Sequence, residues 1–539
     1  MAKMGEKVDG ARRPPKRRKN PSSRGAFPLR AAAVDVGSNA IRLLVAEFSS
    51  PQSYTVIRAD RSPVRLGHGV FVNGQLSPGV MTAAVKVLEG YAGLMRELDV
   101  RRHRAVATSA LRESSNGKGF LARVRRASGL DLEIISGSEE ARLVCRAVAS
   151  RLDLGGGVWM MADLGGGSVE VSLADRTGVL WSESHTMGSV RLLEELAGGS
   201  VDPRGLLRLL QEYAETLRIP AGLVGQSPIG FVATGGNIET LAQMAMAVPG
   251  PEGVSRVPVS TLSRLIRQLA RLSYNERVTQ LGLREDRADV ILPAAIVYER
   301  LARLSGLKEI TVPFVGVREG IVLDIADRQD TGLSSAGKRE QQVHQAAVAI
   351  GRKYRFDEAH GIHVARLAMS LFDQLRPLHQ LGDGERAILQ AAALLHDIGT
   401  FVSYSRHHKH SLYLIAHADL PGFAPLEVQL AANVARYHRR SMPKLEHEAY
   451  SALDPHGRAV ASRLAALLRL ADSLDREHRQ KVAGVLARTV GHTLKLTLDG
   501  DGDLLLEGWA LKRKSDLLKK TYGLSVEVAT GGRRKGGQR

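Results

Sequence analysis

Twice in this chain an apolar run ends in an aspartate followed by a glycine-bearing turn, first at Val34-Asp35-Val36-Gly37-Ser38-Asn39 and again at Ala162-Asp163-Leu164-Gly165-Gly166-Gly167-Ser168. A glycine turn after a strand lets backbone N–H groups approach a phosphate with no Cβ in the way. The aspartate beside it is a hard oxygen ligand suited to Mg²⁺. Two facing copies would clamp one phosphoryl group from both sides. A second chemistry is concentrated downstream, where 13 of the 17 histidines fall between His344 and His478. There Leu394-Leu395-His396-Asp397-Ile398-Gly399 ends an apolar helix with an imidazole and a carboxylate adjacent, able to share one divalent ion.

The elements that must position these residues alternate in type. An apolar strand runs through Asp35 and a second through Ile41 to Phe48; a helix follows from Pro78 to Leu98, then a strand Arg104–Ala107, a helix Phe120–Ser128, a strand Leu132–Ile135 and a helix Glu139–Ser150. The pattern restarts with strands Val158–Asp163, Val169–Leu173 and Gly230–Ala233, the last running into Thr234-Gly235-Gly236-Asn237. The expected division is two α/β lobes, 29–152 and 153–326, a polar linker near Asp327–Glu340, a helical region 340–490, and a small α+β cap 491–530 with strands Leu494–Leu498, Leu504–Leu506 and Leu524–Val528 around a helix Ala510–Lys520. Basic tails, 1–28 and 531–539, flank the folded part and are too poor in apolar residues to pack.

At 539 residues the chain exceeds one hydrophobic core, and 44% hydrophobic composition fills several. The formal net charge of +19 favours capture of polyanions such as polyphosphate or nucleotides. The one cysteine, Cys145, excludes an internal disulfide framework and fits a small buried hydrophobe. No apolar run of about 18 residues is present to span a membrane, and the basic start is no secretory signal. A cytoplasmic protein is expected.

In order, Ala33-Val34-Asp35-Val36-Gly37-Ser38-Asn39 through Arg42-Leu43-Leu44, Ala110-Leu111-Arg112, Ile134-Ile135-Ser136-Gly137-Ser138-Glu139-Glu140-Ala141-Arg142, Asp163-Leu164-Gly165-Gly166-Gly167-Ser168-Val169-Glu170, Thr234-Gly235-Gly236-Asn237-Ile238-Glu239 and Arg318-Glu319-Gly320 resemble the exopolyphosphatase and guanosine-pentaphosphate phosphohydrolase (Ppx/GppA) family. The resemblance implies an α/β fold of two actin-like lobes, of the ribonuclease H-like, sugar kinase and Hsp70 superfold. It implies that Glu140 is the catalytic glutamate acting on the attacking water and that Arg112 neutralises the terminal phosphate. Asp35, Asp163 and Glu170 would hold Mg²⁺, with Glu170 equally able to be an exposed strand residue. The amides of Gly37, Ser38, Asn39, Gly165, Gly166, Gly167 and Ser168 would cradle the phosphate, together with Gly235, Gly236, Asn237 and Arg318. A sugar or acetate kinase and an Hsp70-like ATPase share the superfold, but the Glu139-Glu140 helix start fits the phosphatase pattern.

In the second half, His363, the pair His396-Asp397 and Asp472 resemble the HD-domain metal phosphohydrolases. That implies an all-α HD domain holding a second divalent metal, Mn, Fe, Co or Zn. Lys409-His410-Ser411 and Tyr437-His438-Arg439 carry further candidate histidines, whereas His407, His408 and His417 are expected on the surface and Asp475 is expected to order a helix end. The expected activity is exopolyphosphatase, with long polyphosphate favoured by the charge and the tails. The alternatives are a guanosine pentaphosphate 5′-phosphohydrolase and a non-hydrolytic alarmone sensor. Nucleic acid and membrane are not expected partners, and the family resemblance implies a homodimer.

Overall fold

A computed structural model describes residues 27–197, 203–218, 227–247, 250, 253–330, 335–420, 423–439, 441–500 and 503–530. The expected basic tails, but for Phe27 and Pro28, lie outside these residues.

The first sheet contains β1 (Leu29–Val36), β2 (Ile41–Ser50), β3 (Ser53–Ser62), β4 (Arg102–Ala107) and β5 (Leu132–Ile134), in the order β3-β2-β1-β4-β5. The second contains β6 (Trp159–Leu164), β7 (Val169–Asp175), β8 (Gly178–His185), β9 (Gly230–Thr234), β10 (Ser255–Pro258) and β11 (Glu309–Val312), in the order β8-β7-β6-β9-β11-β10. In both, the first three strands are antiparallel, then β4 and β5 in the first and β9 and β11 in the second join in parallel, with β10 an added antiparallel edge, so the same core topology occurs twice. β3 and β8 escape the sequence pattern because β3 is largely exposed and β8 only half-buried, which leaves no apolar alternation to detect.

Successive residues of β1 feed opposite faces of its sheet: Ala32, Val34 and Val36 pack beneath the helix Pro78–Glu97, and Ala31 and Ala33 enter a core shared between the lobes. β6 does the same, with Met160, Ala162 and Leu164 on one side and Met161 in the shared core. Two helices fill that shared core, and each packs on the opposite lobe. Gly137–Ala149, from the first half, lies on β7 and β8; Val317–Asp330, from the second, lies on β1 and β2. Cys145 is buried there, as expected of a small hydrophobe.

The second half is helical from Ser335 to Ser473, with principal helices Ser335–Lys353, Glu358–Gln374, Asp383–Leu395, His407–Ala416, Pro425–Arg436 and Pro455–Ser473. The expected linker is shorter than its composition suggests, because helix continues to Asp330 and resumes at Ser335. A third sheet, β12 (Val482–Val490), β13 (Thr493–Gly500) and β14 (Ser525–Thr530), closes the chain. Leu494, Leu496, Leu498, Leu511, Leu517 and Leu524 share one apolar core with the helices, so the expected cap is continuous with them. Leu504–Leu506, expected as strand, leads into the helix Leu505–Lys514, and the third strand comes from Val482–Val490 instead. No helix among the described residues is long and apolar enough to cross a membrane.

The crossing of the two exchanged helices gives a test. A Cβ on Gly320 would lie 2.1 Å from the Leu143 carbonyl oxygen. Gly320→Ala is expected to force the helices apart and destabilise the protein by about 1–3 kcal/mol, read as a lowered unfolding midpoint in denaturant. An unchanged midpoint would show that this crossing yields without cost.

Candidate active site

The two glycine turns are hairpin turns, closed by Gly37 N–H to Ala40 O at 3.1 Å and by Gly165 N–H to Ser168 O at 3.0 Å. They meet face to face: a Cβ on Gly166 would fall 2.9 Å from Ser38 Cβ and 3.3 Å from Asn39 N. The carbonyls of Gly165 and Gly166 accept from the amides of Ser189, Val190 and Arg191 at the start of the helix Ser189–Ala197. That ties the carbonyl side of the second turn to the helix. A Cβ on Gly188 would come within 2.3 Å of the Gly166 carbonyl, so only glycine permits this approach.

Three carboxylates converge beside the turns. Asp163 on β6 and Glu170 on β7 are direct cross-strand partners, which places Glu170 inward, 2% exposed, and rejects the exposed-strand alternative. Glu140 arrives from the helix Gly137–Ala149, whose first turn is capped by Ser136 accepting from Glu139 N–H at 3.2 Å. Adjacent helical residues diverge by about a quarter-turn. Glu139 therefore points to Arg142, at 2.7 and 3.0 Å, and Arg104, at 2.9 Å, while Glu140 joins Asp163 and Glu170 with ligand oxygens within 4.8 Å of one another.

Ser168 and Ser184 hydroxyls donate to Glu170 Oε1 at 2.6 and 2.8 Å, and the Thr234 hydroxyl donates to Asp163 Oδ1 at 2.6 Å. Glu140 Oε2 and Glu170 Oε2 are buried with no hydrogen-bond donor among the described residues. Burial, then the nearby Glu170 and Asp163 charges, hold the Glu140 carboxyl well above the ordinary carboxylate range. Burial likewise pushes Glu170 up to about 7, Asp163 adding to it against the Ser168 hydrogen bond.

Of the expected Mg²⁺ ligands, Asp163 and Glu170 fall in one group, and Asp35 lines the same cavity outside that group. Asp35 Oδ2 sits 3.3 Å from Arg42 Nη1, and Glu140 is the carboxylate grouped with Asp163 and Glu170. Arg112 lies beside the trio, with Nη2 4.0 Å from Glu170 Oε1 and Nη1 donating to Ile135 O at 2.8 Å, and is not among the cavity-lining residues. Gly167 is packed under Phe71 and Ser109, where a Cβ would be 2.4 Å from each, and does not line the cavity.

Gly37, Ser38, Asn39, Gly165, Gly166, Ser168, Gly235, Gly236, Asn237 and Arg318 do line it, around a space of about 660 Å³. Sequence reading passed over Arg61, Arg284 and Arg287, which share this wall with Arg42. Arg287 Nη1 donates to Asn237 Oδ1 at 2.7 Å, and Asn237 Nδ2 to Ser189 Oγ at 3.1 Å. A Cβ on Gly236 would lie 2.0 Å from Arg287 Nη2, so any side chain there would displace the guanidinium. Burial, with Arg42 and Arg61 nearby, lowers Arg287 to about 10.

Family models described as the Ppx/GppA phosphatase family and as Ppx/GppA phosphatase, domain III, match residues 44–329 and 343–521. The chain belongs to the Ppx/GppA phosphatase family. It is a phosphoanhydride hydrolase with two actin-like lobes. It is 27% identical over 494 residues to the guanosine-5′-triphosphate,3′-diphosphate pyrophosphatase of Aeromonas hydrophila, spanning 89% of this chain and 92% of that protein. An exopolyphosphatase from Cytophaga hutchinsonii superposes with a TM-score of 0.52 at 25% identity, covering 56% of this chain and 100% of that one. A Ppx/GppA family member from Aquifex aeolicus gives a TM-score of 0.48 at 26% identity, covering 56% and 99%.

In the domain III region of this Ppx/GppA chain, His396, Asp397 and Asp472 converge as expected, but His363 does not join them. His360, one turn earlier, takes that place, with Nε2 3.2 Å from His396 Nε2, while His363 faces Arg366 at 3.3 Å. His407 and His408, expected on the surface, are buried, and His407 joins His438 against Asp397. His417 is exposed. Asp475 Oδ2 accepts from His360 Nδ1 at 2.8 Å, so it orients a ring as well as a helix end.

The raised carboxyls predict a pH effect of definite sign. A carboxyl at about 7 in the folded state, against an ordinary 4.5, adds stability below 4.5 that is lost as pH rises through 7. In chelator, the melting temperature is therefore expected to fall across that interval, and Glu170→Gln to flatten the fall. Stabilisation by added Mg²⁺ is expected to grow across the same interval. A metal-free melting curve with equal pH dependence in wild type and Glu170→Gln would show that Glu170 is ordinary.

Proposed function

We propose that the protein hydrolyses the terminal 5′ phosphate of guanosine pentaphosphate in the cleft, with Mg²⁺ held by Asp163 and Glu170. The observation that carries the hydrolysis is the buried trio Glu140, Asp163 and Glu170 placed where the two glycine turns meet. Buried carboxylate oxygens with no donor are the chemistry a hard divalent cation satisfies, and Glu140 Oε2 and Glu170 Oε2 are two of them. Mg²⁺ bound there would neutralise charge building on the phosphoryl oxygens.

The chain's own groups supply the remaining steps. Glu140, raised by burial and its neighbours, takes the proton of the attacking water. The glycine turns hold the terminal phosphate, and Arg42, Arg61, Arg287 and Arg318 line the space occupied by the following phosphates. Phosphoryl transfer depends mainly on such positioning and on stabilised charge.

Two observations favour the guanosine substrate over polyphosphate, which the bulk charge alone had favoured. A relative that spans both halves of the chain is named for a guanosine nucleotide. Gln243, Met244, Leu281 and Leu283 give the cavity wall apolar and amide surface that suits a purine and that a bare phosphate chain has no use for. Polyphosphate is retained as a second reading because arginines crowd the cavity and the chain carries a net +19.

Orthophosphate release from guanosine pentaphosphate, tripolyphosphate, long polyphosphate and ATP, measured side by side with Mg²⁺, decides between them. The highest kcat/KM is expected for guanosine pentaphosphate; a higher value for long polyphosphate would reverse the assignment. Glu140→Gln is expected to lower kcat by about a hundredfold or more with KM changed little, because the amide holds water and cannot accept its proton. Turnover near wild type in that variant would remove Glu140 from the chemistry.

A further inference from the structure

Glu139 and Glu140 are consecutive and each is 5% exposed, yet their surroundings differ in sign. Glu139 Oε1 accepts from Arg104 Nη1 at 2.9 Å and from Arg142 Nη2 at 3.0 Å, and its Oε2 accepts from Arg142 Nε at 2.7 Å. Burial works to raise both carboxyls. Arg142 and Arg104 nevertheless bring Glu139 below the ordinary carboxylate range, whereas Glu170 and Asp163 add to the burial of Glu140. A carboxylate in a first helical turn can serve the helix dipole from solvent. Glu139 is not in solvent, and three hydrogen bonds from two guanidiniums exceed what that role needs.

The two guanidiniums lead to separate parts of the fold. Arg104 stands on β4 and also holds Glu133 of β5, through Nε at 2.9 Å and Nη2 at 3.1 Å. Arg142 Nη1 donates to Asp324 Oδ1 at 3.1 Å, on the helix Val317–Asp330 that crosses from the second half. Glu139 thus joins the helix start to the first sheet directly and to the other exchanged helix through Arg142. One turn further along, Arg146 pairs with Asp327 at 2.7 Å across the same two helices.

That connection answers a mechanical problem. Glu140 faces two carboxylates, and any motion that turns the helix start away from Asp163 and Glu170 relieves their repulsion. Neighbouring helical residues are about 100° apart around the axis, so fixing Glu139 on one side fixes the direction of Glu140 on another. A rotation of about 10° moves a carboxylate carried roughly 6 Å from the axis by about 1 Å. A displacement of that size at a reacting group costs about a hundredfold in rate.

We propose that Glu139 is the positioning residue for Glu140: clamped between Arg104 and Arg142, it sets the rotation of the helix start and holds the base beside Asp163 and Glu170. The proposal rests on Glu140 as the base of the hydrolysis. Glu139 itself does not line the cavity, so its loss acts on turnover and leaves substrate binding alone.

Glu139→Gln keeps the side chain's shape but turns one of two accepting oxygens into a donor facing a guanidinium. With guanosine pentaphosphate and long polyphosphate as probes in Mg²⁺, kcat on the faster of the two is expected to fall about tenfold to a hundredfold, with KM changed less than about twofold. Arg104→Gln removes the clamp from its other side and is expected to show the same split; it stands in for Glu139→Gln if that variant melts below the assay temperature. Arg146→Gln breaks an ion pair between the same two helices and is expected to lower the melting temperature with kcat within about twofold of wild type. In a Glu140→Gln chain, adding Glu139→Gln is expected to cost less than about twofold more, because no base is left to position. Unchanged kcat in either folded clamp variant overturns the proposal, as does an equal kcat loss in Arg146→Gln or a full additional loss on top of Glu140→Gln. Wild-type turnover in Glu140→Gln would remove the base itself, whereas an impaired Glu140→Gln beside a fully active Glu139→Gln removes only the positioning.

Discussion

Glu140, Asp163 and Glu170 are carboxylates buried within 4.8 Å of one another, an arrangement that opposes its own ionisation, and the two lobes are organised around tolerating it. Each comes from a different element: a helix start, β6 and β7. The helix that carries Glu140 must therefore cross from the first half of the chain onto β7 and β8, and the exchange of helices in the shared core accomplishes this. Gly137 permits the final approach, because a Cβ there would lie 2.9 Å from Ser184 Cβ. Hydroxyls from Ser168, Ser184 and Thr234 stabilise the anionic forms locally, and Arg42 and Arg112 add positive charge on two sides.

What could be read from the sequence was what neighbouring residues determine. Strand, aspartate, glycine turn and serine are consecutive, so both turns were legible, and cross-strand register then placed Glu170 opposite Asp163. The choice between Glu139 and Glu140 rested on family resemblance, and the geometry gives its reason: one is spent on Arg104 and Arg142 and the other is left without a donor. Arg61 and Arg287 could not be singled out in a chain with 75 lysines and arginines, because only the folding of the second half onto the first brings them to one wall.

The departures from expectation in the helical half have separate causes. His360 and His363 are three residues apart on one helix and occupy neighbouring positions on its surface, so periodicity cannot say which meets the His396-Asp397 turn. His407 reads as a surface residue because Arg406 and Lys409 beside it are polar. Its helix start is pressed against Gly399, whose Cβ would lie 2.1 Å from His407 O, and that contact buries the ring. The strand Val482–Val490 was hidden by the helical periodicity before it and by its exposed alternate residues.

Bulk charge proved a weaker guide than charge placement. The excess of cations is spread over the chain, whereas the cleft holds its arginines in specific pairs: Arg61 with Asp286, and Arg65 with Asp289 at 2.7 Å, both joining the first lobe to the second. Asn39, in the first glycine turn, is bound into the same seam by Arg65 Nε at 2.9 Å and donates to Asp286 O at 3.2 Å. The residues that line the phosphate space thus also close the lobes over it. A polyanion entering the cavity would compete with Asp286 for Arg61, so binding and lobe closure would draw on the same charges. Arg287 differs: buried beside Arg42 and Arg61, it donates to Asn237 and makes no ion pair among the described residues, so its charge stays uncompensated in the cavity wall.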